Sequence, residues 1–527
     1  MTDRATITAI RRDLRHTWRP FFSRFGNLTP VQVATIRPVL SGANVIVMAP
    51  TASGKTEAVV APVAEQHMQE RWQGLAVVYV VPTRALANDI LKRIGGPLED
   101  MGLRAVLKHS DWSYLPERLD WLITTPESLD SLICRRPHIF ARLRAILLDE
   151  IHLLDGTYRG DQLRVLLTRL RDLSGNHFAT HIISATLQDA DKVAERYMSS
   201  YELIASTGGR SVDLHLATTH EEIYQIARKY RWKKVLYFCN KREMVETVAD
   251  QLTPIWKPYP VVAHHGALNK RAREEAEQIL NESPRAVGVA TGTLEVGIDI
   301  GDIDLVVLAE PPWSLSALMQ RIGRGCRRSG RIQAAAIINS PDDQAHIEAM
   351  FEAIKEGQLG VAPYEADFSV GVQQALSIVF QHRGTGASDD DLKRMLTVLM
   401  TPSLTEQILL HLQHREWIER QGDRWFTTMM LIDEAERGNI HTNIPDTQNY
   451  RVFDVESNNE IGQIAGLFDD VFLLNGQAWQ VIDIKSTMIR VRRFRGKANA
   501  ALFKRHIQAG RYFYLLPPSL KALIRNK

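Results

Sequence analysis

The fold is decided by Ala49-Pro50-Thr51-Ala52-Ser53-Gly54-Lys55-Thr56, which follows the apolar run Val45–Met48 and precedes the helix-like run Ala58–Ala64. This strand–loop–helix context is the one that a phosphate-binding loop requires, although Ala49 stands where the general pattern has Gly. Small residues let backbone N–H groups converge on an anion, Lys55 adds a charge for the β- and γ-phosphates, and the Thr56 hydroxyl can ligate Mg²⁺. The expected nucleotide contacts are Thr51, Ser53, Gly54, Lys55 and Thr56.

A second motif follows the apolar run Ala145–Leu148, where the chain reads Asp149-Glu150-Ile151-His152. It places two carboxylates at the carboxyl end of a buried strand, which is where α/β sheets bind ligands. We expect Asp149 to hold Mg²⁺ and Glu150 to orient and deprotonate the water that attacks the γ-phosphate. Together with the phosphate loop, the pair predicts ATP and Mg²⁺ as cofactors.

A third motif, Gln320 to Arg328, holds four arginines within eight residues. A planar guanidinium suits the spread charge of a phosphoryl transition state, so Arg324 and Arg327 are candidate catalytic finger residues. A solvated basic helix is the alternative, but the interposed Gly323 and Gly325 do not favour it.

Composition bounds the protein class. The 527 residues are 45% hydrophobic and 24% charged, which is typical of folded globular chains with several domains. Three scattered cysteines and the lack of an apolar leader or a long apolar run predict a cytoplasmic protein without a membrane span. The net charge of +3 leaves any polyanion partner to be inferred from where the charges lie.

The order of strand-like and helix-like runs predicts the domains. Up to about residue 345 the pattern is that of parallel strands joined by crossover helices, enough for two α/β sheets. Two helix-like runs and a hairpin then predict a winged helix, and the last runs flank the turn Asn475-Gly476 in a small β-rich domain. The predicted domains are 1–207, 208–365, 366–438 and 439–527.

The last domain is basic, since Lys485 to Lys527 holds twelve Lys or Arg and no acidic residue. Arg492 and Arg493 lie there among aromatic residues, a mixture that grips nucleic-acid phosphates and stacks on bases. A basic tail that only keeps the surface soluble is the alternative. Trp417 and Trp425 of the hairpin could stack on a base, but packing in the core of the wing is the commoner use of such residues.

The order of these motifs resembles that of the superfamily-two helicases, over about residues 25–330. The resemblance implies two tandem RecA-like domains, with Gln32 of a Q motif contacting adenine and Phe21 or Phe22 stacking on its ring. It implies that His152 couples hydrolysis to strand movement with the motif Ser184-Ala185-Thr186. The residues that it implies for nucleic-acid contact are Thr83, Arg84, Thr125, Pro126, Asn240 and Thr291. It places Gly297 and Asp299 at the nucleotide, and Cys326 stands where the family has Gly.

Within that superfamily the chain resembles the Lhr-type large helicases. The features that carry this resemblance are the Asp149–His152 box, the short link Glu310-Pro311-Pro312-Trp313-Ser314, and the appended winged helix and β-rich module. The resemblance implies 3′→5′ movement on single-stranded DNA or RNA and unwinding of DNA or DNA–RNA duplexes at their junctions. A role in DNA repair is one of the pathways that it allows.

Two other functions stay open at this stage. The first is an ATP-gated nucleic-acid clamp or scaffold without processive unwinding, whose catalytic motifs would be the same. The second is a double-strand translocase that serves a nuclease. It is less favoured because this sequence offers no nuclease-like carboxylate cluster, so the nuclease would have to be a partner subunit. Measurements of hydrolysis and of strand displacement on tailed substrates separate these functions.

Overall fold

The computed structural model describes residues 4–50, 53–109, 115–175, 178–185, 187, 189–205, 211–294, 301–325, 331–355, 364–444, 449–457, 459–465, 471–474, 477–485, 488–494, 499–500 and 510–525. Its contacts divide the chain into two compact units. The first unit comprises Met1–Thr207, Val361–Asp446 and Ile507–Lys527, and the second comprises Gly208–Gly360 and Thr447–His506. Within the described residues, no helix is both long enough and apolar enough to cross a bilayer.

The first unit begins with a seven-stranded parallel sheet in the order β3-β4-β2-β5-β6-β1-β7. Its strands are β1 (Val45–Met48), β2 (Val77–Val80), β3 (Ala105–Lys108), β4 (Trp121–Thr124), β5 (Ala145–Asp149), β6 (Ala179–Ser184) and β7 (Glu202–Ala205). The accompanying helices are α1 (Arg4–Asp13), α2 (Pro30–Leu40), α3 (Lys55–Glu70), α4 (Arg84–Glu99), α5 (Pro126–Arg135), α6 (Tyr158–Ser174) and α7 (Ala190–Tyr197). The central strands are fully buried apolar runs, as expected for a sheet covered on both faces.

The second unit begins with a six-stranded parallel sheet in the order β10-β11-β9-β12-β13-β8. Its strands are β8 (Ser211–Ala217), β9 (Lys234–Phe238), β10 (Val261–His264), β11 (Ala286–Ala290), β12 (Leu305–Leu308) and β13 (Arg331–Ile337). Its helices are α8 (His220–Tyr230), α9 (Arg242–Ile255), α10 (Lys270–Glu282), α11 (Leu315–Ile322) and α12 (Pro341–Lys355). Two parallel-sheet, RecA-like domains are therefore present, as the sequence predicts.

A winged-helix region returns the chain to the first unit. Its elements are α13 (Phe368–Gln381), β14 (Ala387–Ser388), α14 (Asp389–Leu396), α15 (Pro402–His414), β15 (Ile418–Gln421), β16 (Arg424–Thr427) and α16 (Met429–Glu436). The hairpin of β15 and β16 turns at Gly422, whose φ of +64° suits glycine. Trp417 and Trp425 are both buried, so they pack in the core of the wing and are not placed for base stacking.

A fully buried polar network joins this winged-helix region to the first sheet domain. Arg169 of α6 donates to Asp130 of α5 (2.6 Å) and to Cys134 Sγ (3.3 Å), and His441 Nδ1 lies 2.9 Å from the other oxygen of Asp130. Ser377 of α13 also donates to Asp130 (2.8 Å). Asp130, Cys134 and His441 are close enough to share a cation. Because the Arg169 guanidinium already bonds two of the three, we interpret the cluster as an ion-pair network that ties the domains together.

The second unit ends in a six-stranded mixed sheet in the order β18-β17-β21-β20-β19-β22. Its strands are β17 (Asn449–Asp454), β18 (Glu460–Ala465), β19 (Val471–Leu474), β20 (Gln477–Lys485), β21 (Met488–Arg493) and β22 (Asn499–Ala500). Gln463 N donates to Ala267 O (2.7 Å), and Gly462 lies so close that an added Cβ would be 2.8 Å from the same oxygen. The sheet therefore docks by backbone contact on the loop before α10.

The predicted domain 439–527 needs a correction at its end. Residues 510–525, which include α17 (Pro518–Arg525), pack in the first unit and not with the β-rich sheet. The reason is burial of apolar side chains, because Tyr512, Leu515 and Leu520 are at most 1% exposed in the core that also holds α13 and α15. Tyr512 N also donates to the Asn443 side chain (3.0 Å). The predicted start at 439 also differs, because the first unit extends to Asp446. The other predicted domain boundaries stay predictions, and residues 206–210 lie outside the described residues.

Candidate active site

Three loops meet at the carboxyl edge of the first sheet. Strand β6 lies between β1 and β5, with Met48 opposite Ser184 and Asp149 opposite Ile183 in the parallel registers. The loops that follow these strands are therefore neighbours, although the sequence separates them by about a hundred residues. This edge brings together the phosphate loop, the two carboxylates and the Ser184-Ala185 segment; Thr186 lies outside the described residues.

The phosphate loop is held at both ends. Ala49 N donates to Ser184 O (3.2 Å), and Gly54, with φ of +83°, caps the start of α3. Lys55 is buried, and its Nζ donates to Ala49 O (3.1 Å). Ser53 Oγ is buried without a hydrogen-bond partner among the described atoms. A loop with an orphaned hydroxyl, a buried ammonium and a helix N-terminus is suited to binding an anion; Thr51 lies outside the described residues.

Gln32 is packed against the phosphate loop. Its Oε1 accepts from Thr29 N (2.9 Å) in a capping box at the start of α2, and its Nε2 donates to Gly54 O (3.3 Å). Thr29 Oγ1 donates to Ser53 O (2.8 Å). A Cβ on Gly54 would lie 2.3 Å from Gln32 Nε2, so this close approach requires glycine. The structure therefore links the Q motif to the loop backbone, and the adenine contact of Gln32 stays a prediction.

Asp149 is buried at the end of β5. Its carboxylate accepts from the Tyr79 hydroxyl (2.7 Å) and from the Glu150 backbone N–H (2.9 Å). Burial, followed by the charge of Glu150, raises the pKa of Asp149 to about 7. A nearby cation would favour the ionised form, which is the behaviour expected of a carboxylate that ligates a metal.

Glu150 has an unusual backbone conformation. Its φ is +45°, in the left-handed region that non-glycine residues rarely adopt and that is often found at functional sites. Its carboxylate lies 3.6 Å from Lys55 Nζ and 3.4 Å from His152 Nδ1, and it accepts from Ala185 N at 3.4 Å. Groups from all three loops therefore fix this side chain, as a general base requires.

His152 connects the carboxylate loop to the end of β6. Its Nδ1 lies 2.8 Å from Ser184 Oγ. Burial lowers the pKa of His152, so the ring is neutral at pH 7. Its buried Nε2 has no hydrogen-bond partner among the described atoms. The predicted coupling partners His152 and Ser184 are thus in direct contact.

The residues of this edge fit a nucleotide with a divalent cation. Thr56 and Asp149 are buried beside the loop and offer hydroxyl and carboxylate oxygens, the ligands that Mg²⁺ prefers. Ser53 Oγ supplies an unused polar group, and Lys55 supplies a positive charge. These features suit a triphosphate, and they follow from this structure and not only from the motif.

The predicted nucleic-acid residues of the first unit differ in exposure. Thr83 and Arg84 are exposed at the start of α4, where Thr83 Oγ1 caps the helix by accepting from Leu86 N (3.2 Å). Thr125 and Pro126 are buried at the start of α5. The aromatic pair Phe21 and Phe22 is also buried, each 1% exposed.

The expected stacking of Phe21 or Phe22 on adenine is therefore wrong for this structure, because both rings serve the core. The exposed aromatic residue of that segment is Phe25, which is 57% exposed. Sequence reasoning also missed Tyr79. Its one signal is a polar hydroxyl within the otherwise apolar run Val77–Val80.

In the second unit, Asn240 follows β9 and Thr291 follows β11, which are adjacent strands. The Asn240 side-chain amide makes two hydrogen bonds: it donates to Pro311 O (2.8 Å) and accepts from Arg321 Nη1 (2.9 Å). Asn240 therefore positions the Pro311 segment. Arg324 is 3% exposed. The predicted residues Gly297, Asp299 and Arg327, and also Cys326, lie outside the described residues.

The basic residues of the C-terminal sheet are partly paired. Arg492 is exposed and lies 4.0 Å from Glu456, and the Arg493 guanidinium lies over the Trp479 ring at 6.0 Å. Arg490 is 3.6 Å from Asp483. Because exposed pairs of this kind are weak, the arginines stay available to a polyanion.

The chain matches two protein families. It matches DEAD/DEAH box helicase over residues 29–193 and helicase conserved C-terminal domain over residues 216–329. Among curated proteins, ATP-dependent helicase Lhr-Core protein 2 of Thermococcus barophilus is 31% identical over 370 residues, covering 60% of this chain and 42% of that protein. The chain spans less than half the length of this relative.

Two solved structures share the fold. Mycobacterium smegmatis helicase Lhr bound to ssDNA and AMP-PNP has a TM-score of 0.69 and 23% identity, covering 82% of this chain and 62% of that one. DUF1998 helicase MrfA bound to DNA and AMPPNP has a TM-score of 0.72 and 21% identity, covering 92% and 72%. At these identities the likeness establishes the fold.

Proposed function

Because the chain belongs to the Lhr-type helicases of superfamily two, we propose that it is an ATP- and Mg²⁺-dependent helicase that moves 3′→5′ along a single strand and separates DNA or DNA–RNA duplexes. The observation that carries the proposal is the meeting of Lys55, Asp149 and Glu150 at one sheet edge, with Lys55 Nζ 3.6 Å from Glu150. Since the chain spans less than half the length of the curated relatives that it matches, activities located in their further domains are not carried over.

The chemistry proposed for this edge is hydrolysis of the γ-phosphate. Bound Mg²⁺ would neutralise phosphate charge, with Thr56 and Asp149 as the residues that hold it. Lys55 would leave Ala49 O for the β- and γ-phosphate oxygens. Glu150, held by Ala185 N and His152, would orient the attacking water and take its proton at the carboxylate. Arg324 and Arg327 are proposed to stabilise the charge that develops in the transition state.

The proposed partner is single-stranded nucleic acid. Support comes from the likeness to Mycobacterium smegmatis Lhr, whose structure holds ssDNA and AMP-PNP. We propose that two groups of residues contact backbone phosphates: those with exposed or basic side chains, and those in the first turn of α5. These residues are Thr83, Arg84, Thr125, Thr291, Arg492 and Arg493.

The experiment compares the wild type with Lys55→Ala, using Lys92→Ala, an exposed lysine of the same unit, as the matched control. ATP hydrolysis and strand displacement are measured with 3′-tailed and 5′-tailed duplexes of DNA, RNA and hybrid. We expect stimulated hydrolysis and displacement on 3′ tails only, retained in Lys92→Ala and abolished in Lys55→Ala.

Each other outcome has a meaning. Displacement from 5′ tails contradicts the polarity. Robust hydrolysis without displacement on any substrate contradicts the helicase and favours an ATP-gated clamp. Full stimulated hydrolysis by Lys55→Ala contradicts the assignment of the site.

A further inference from the structure

Trp313 is the most exposed large apolar side chain among the described residues, at 77% of its surface. It lies in the link after β12, and β12 is the neighbour of β9 in the second sheet. The link therefore belongs to the same carboxyl edge as Asn240 after β9 and Thr291 after β11. Nothing in the phosphate-loop chemistry uses this indole.

The backbone that carries Trp313 is fixed on both sides. On one side, Asn240 Nδ2 donates to Pro311 O (2.8 Å) and Glu310 accepts from Asn240 N (2.9 Å). On the other side, Ser314 caps α11, with its Oγ accepting from Ala317 N (3.1 Å). The two prolines restrict φ, and Pro312 is buried.

The fixed backbone around Trp313 favours binding through its ring. An aromatic ring with few rotatable bonds on a fixed backbone loses little conformational entropy when it contacts a partner. A nucleobase offers a flat face of matching size, and stacking does not depend on base identity. Such a sequence-tolerant contact suits a protein that moves along a strand.

We propose that Trp313 stacks on a base of the single strand that the protein tracks. This inference rests on the proposed function and adds a base contact to the phosphate contacts. Asn240 then acts as a positioning residue, since its amide holds the Pro311 carbonyl and the Arg321 side chain.

The test uses equilibrium binding of the full chain, with AMP-PNP present, to a labelled thymidine 20-mer, a uridine 20-mer and an abasic deoxyribose-phosphate 20-mer. The variants are Trp313→Ala and Trp313→Phe. The matched control is Tyr230→Ala, which removes an aromatic side chain, 49% exposed, from the end of α8. Tyr230 comes just before β9 begins and so belongs to the opposite edge of the same sheet.

We expect Trp313→Ala to weaken binding to the base-bearing strands by roughly ten-fold or more, the size found for lost base–aromatic stacking. Trp313→Phe should recover most of this loss, and Tyr230→Ala should bind as the wild type does. On the abasic strand, wild type and Trp313→Ala should bind equally, which a folding defect would not produce. Equal loss on thymidine and uridine strands assigns the contact to both nucleic acids.

Two results would overturn the inference: unchanged binding of Trp313→Ala to both base-bearing strands, or an equal loss on the abasic strand. If the wild type itself neither binds single strands nor hydrolyses ATP in response to them, the proposed function fails and the inference fails with it. The wild-type arm therefore separates the two failures.

Discussion

His152 Nδ1 lies 2.8 Å from Ser184 Oγ, so the loop that carries Glu150, the proposed general base, is bonded to the end of the neighbouring strand β6. The same strand end accepts from the phosphate loop, through Ala49 N and Ser184 O (3.2 Å). A change at Glu150 on hydrolysis can therefore be transmitted through one histidine to a strand that contacts both catalytic loops.

Ser184→Ala should separate hydrolysis from unwinding. The substitution removes the hydroxyl but leaves His152 beside Glu150, so stimulated ATPase should stay within a few-fold of wild type. Strand displacement per ATP should fall by about ten-fold or more, because the free energy that couples the two loops would lose the contribution of at least one hydrogen bond. Parallel ATPase and displacement assays check this, with Ser41→Ala, exposed at the end of α2, as the control. A proportional fall of both rates would contradict a coupling role.

Tyr79→Phe should weaken the metal site. The Tyr79 hydroxyl donates to Asp149 Oδ2 (2.7 Å) and orients the carboxylate that we propose as the metal ligand. Loss of such a supporting hydrogen bond typically costs about 10- to 100-fold in metal affinity. The Mg²⁺ concentration for half-maximal ATPase should rise accordingly, with kcat at saturating Mg²⁺ less affected. Tyr237→Phe, a buried tyrosine of β9, should leave the Mg²⁺ dependence unchanged.

Stability of the first unit should depend on pH through His441. Burial lowers the pKa of His441, but the hydrogen bonds and charge interactions with Asp130 and Cys134 together outweigh it, and the pKa is raised from 6.5 to about 9. A group whose pKa is raised by folding stabilises the folded state at pH values below its pKa in the unfolded chain. This contribution is lost as the pH rises through the pKa in the folded state. The contribution present at pH 6 should therefore disappear between about pH 6.5 and 9, and it is on the order of 3 kcal/mol.

Hydrogen exchange at α5, α6 and α13 measures the free energy of opening across that range. His441→Asn should flatten the pH dependence, whereas His414→Asn, exposed at the end of α15, should not. An unchanged slope in His441→Asn would show that the Asp130 network does not depend on the imidazolium.

Gly462→Val should detach the β-rich sheet from the loop before α10. An added Cβ would lie 2.8 Å from Ala267 O, which belongs to backbone and cannot move aside cheaply. We expect the free energy of docking to fall by about 1–3 kcal/mol, as for other overpacked sites. The Gln463 amide should then lose its protection against hydrogen exchange. Gly384→Ala, where a Cβ meets nothing within 4 Å, is the control. Full protection in Gly462→Val would mean that the docking tolerates a side chain.

The sequence was sufficient for elements that are built from continuous apolar runs. Strands such as β1 and β9 are buried and rich in Val, Leu and Ile, so their pattern is unambiguous. The edge strands β3, β7 and β8 have no comparable signal in the sequence, because they lie at the rims of their sheets and their patterns mix polar and apolar residues. Strand β13 is also hard to predict, because its alanines carry little strand signal.

The motifs likewise predict the candidate active-site residues but not the residues that hold them in position. Tyr79 reaches Asp149 only because β2 pairs with β5, and that pairing is a property of the sheet order. The return of residues 510–525 to the first unit depends on Tyr512 and Leu520 finding a core more than a hundred residues earlier in the chain. Such long-range packing has no local pattern.

The most direct test of the account is the ssDNA-stimulated ATPase of Glu150→Gln, with nucleotide affinity measured beside it and Glu99→Gln, exposed at the end of α4, as the control. We expect kcat to fall by about 10²-fold or more, the size of a lost general base, while nucleotide binding and ssDNA binding persist and strand displacement stops. Wild-type hydrolysis by Glu150→Gln would contradict it, because the carboxylate that three loops hold in place would then have no part in the reaction.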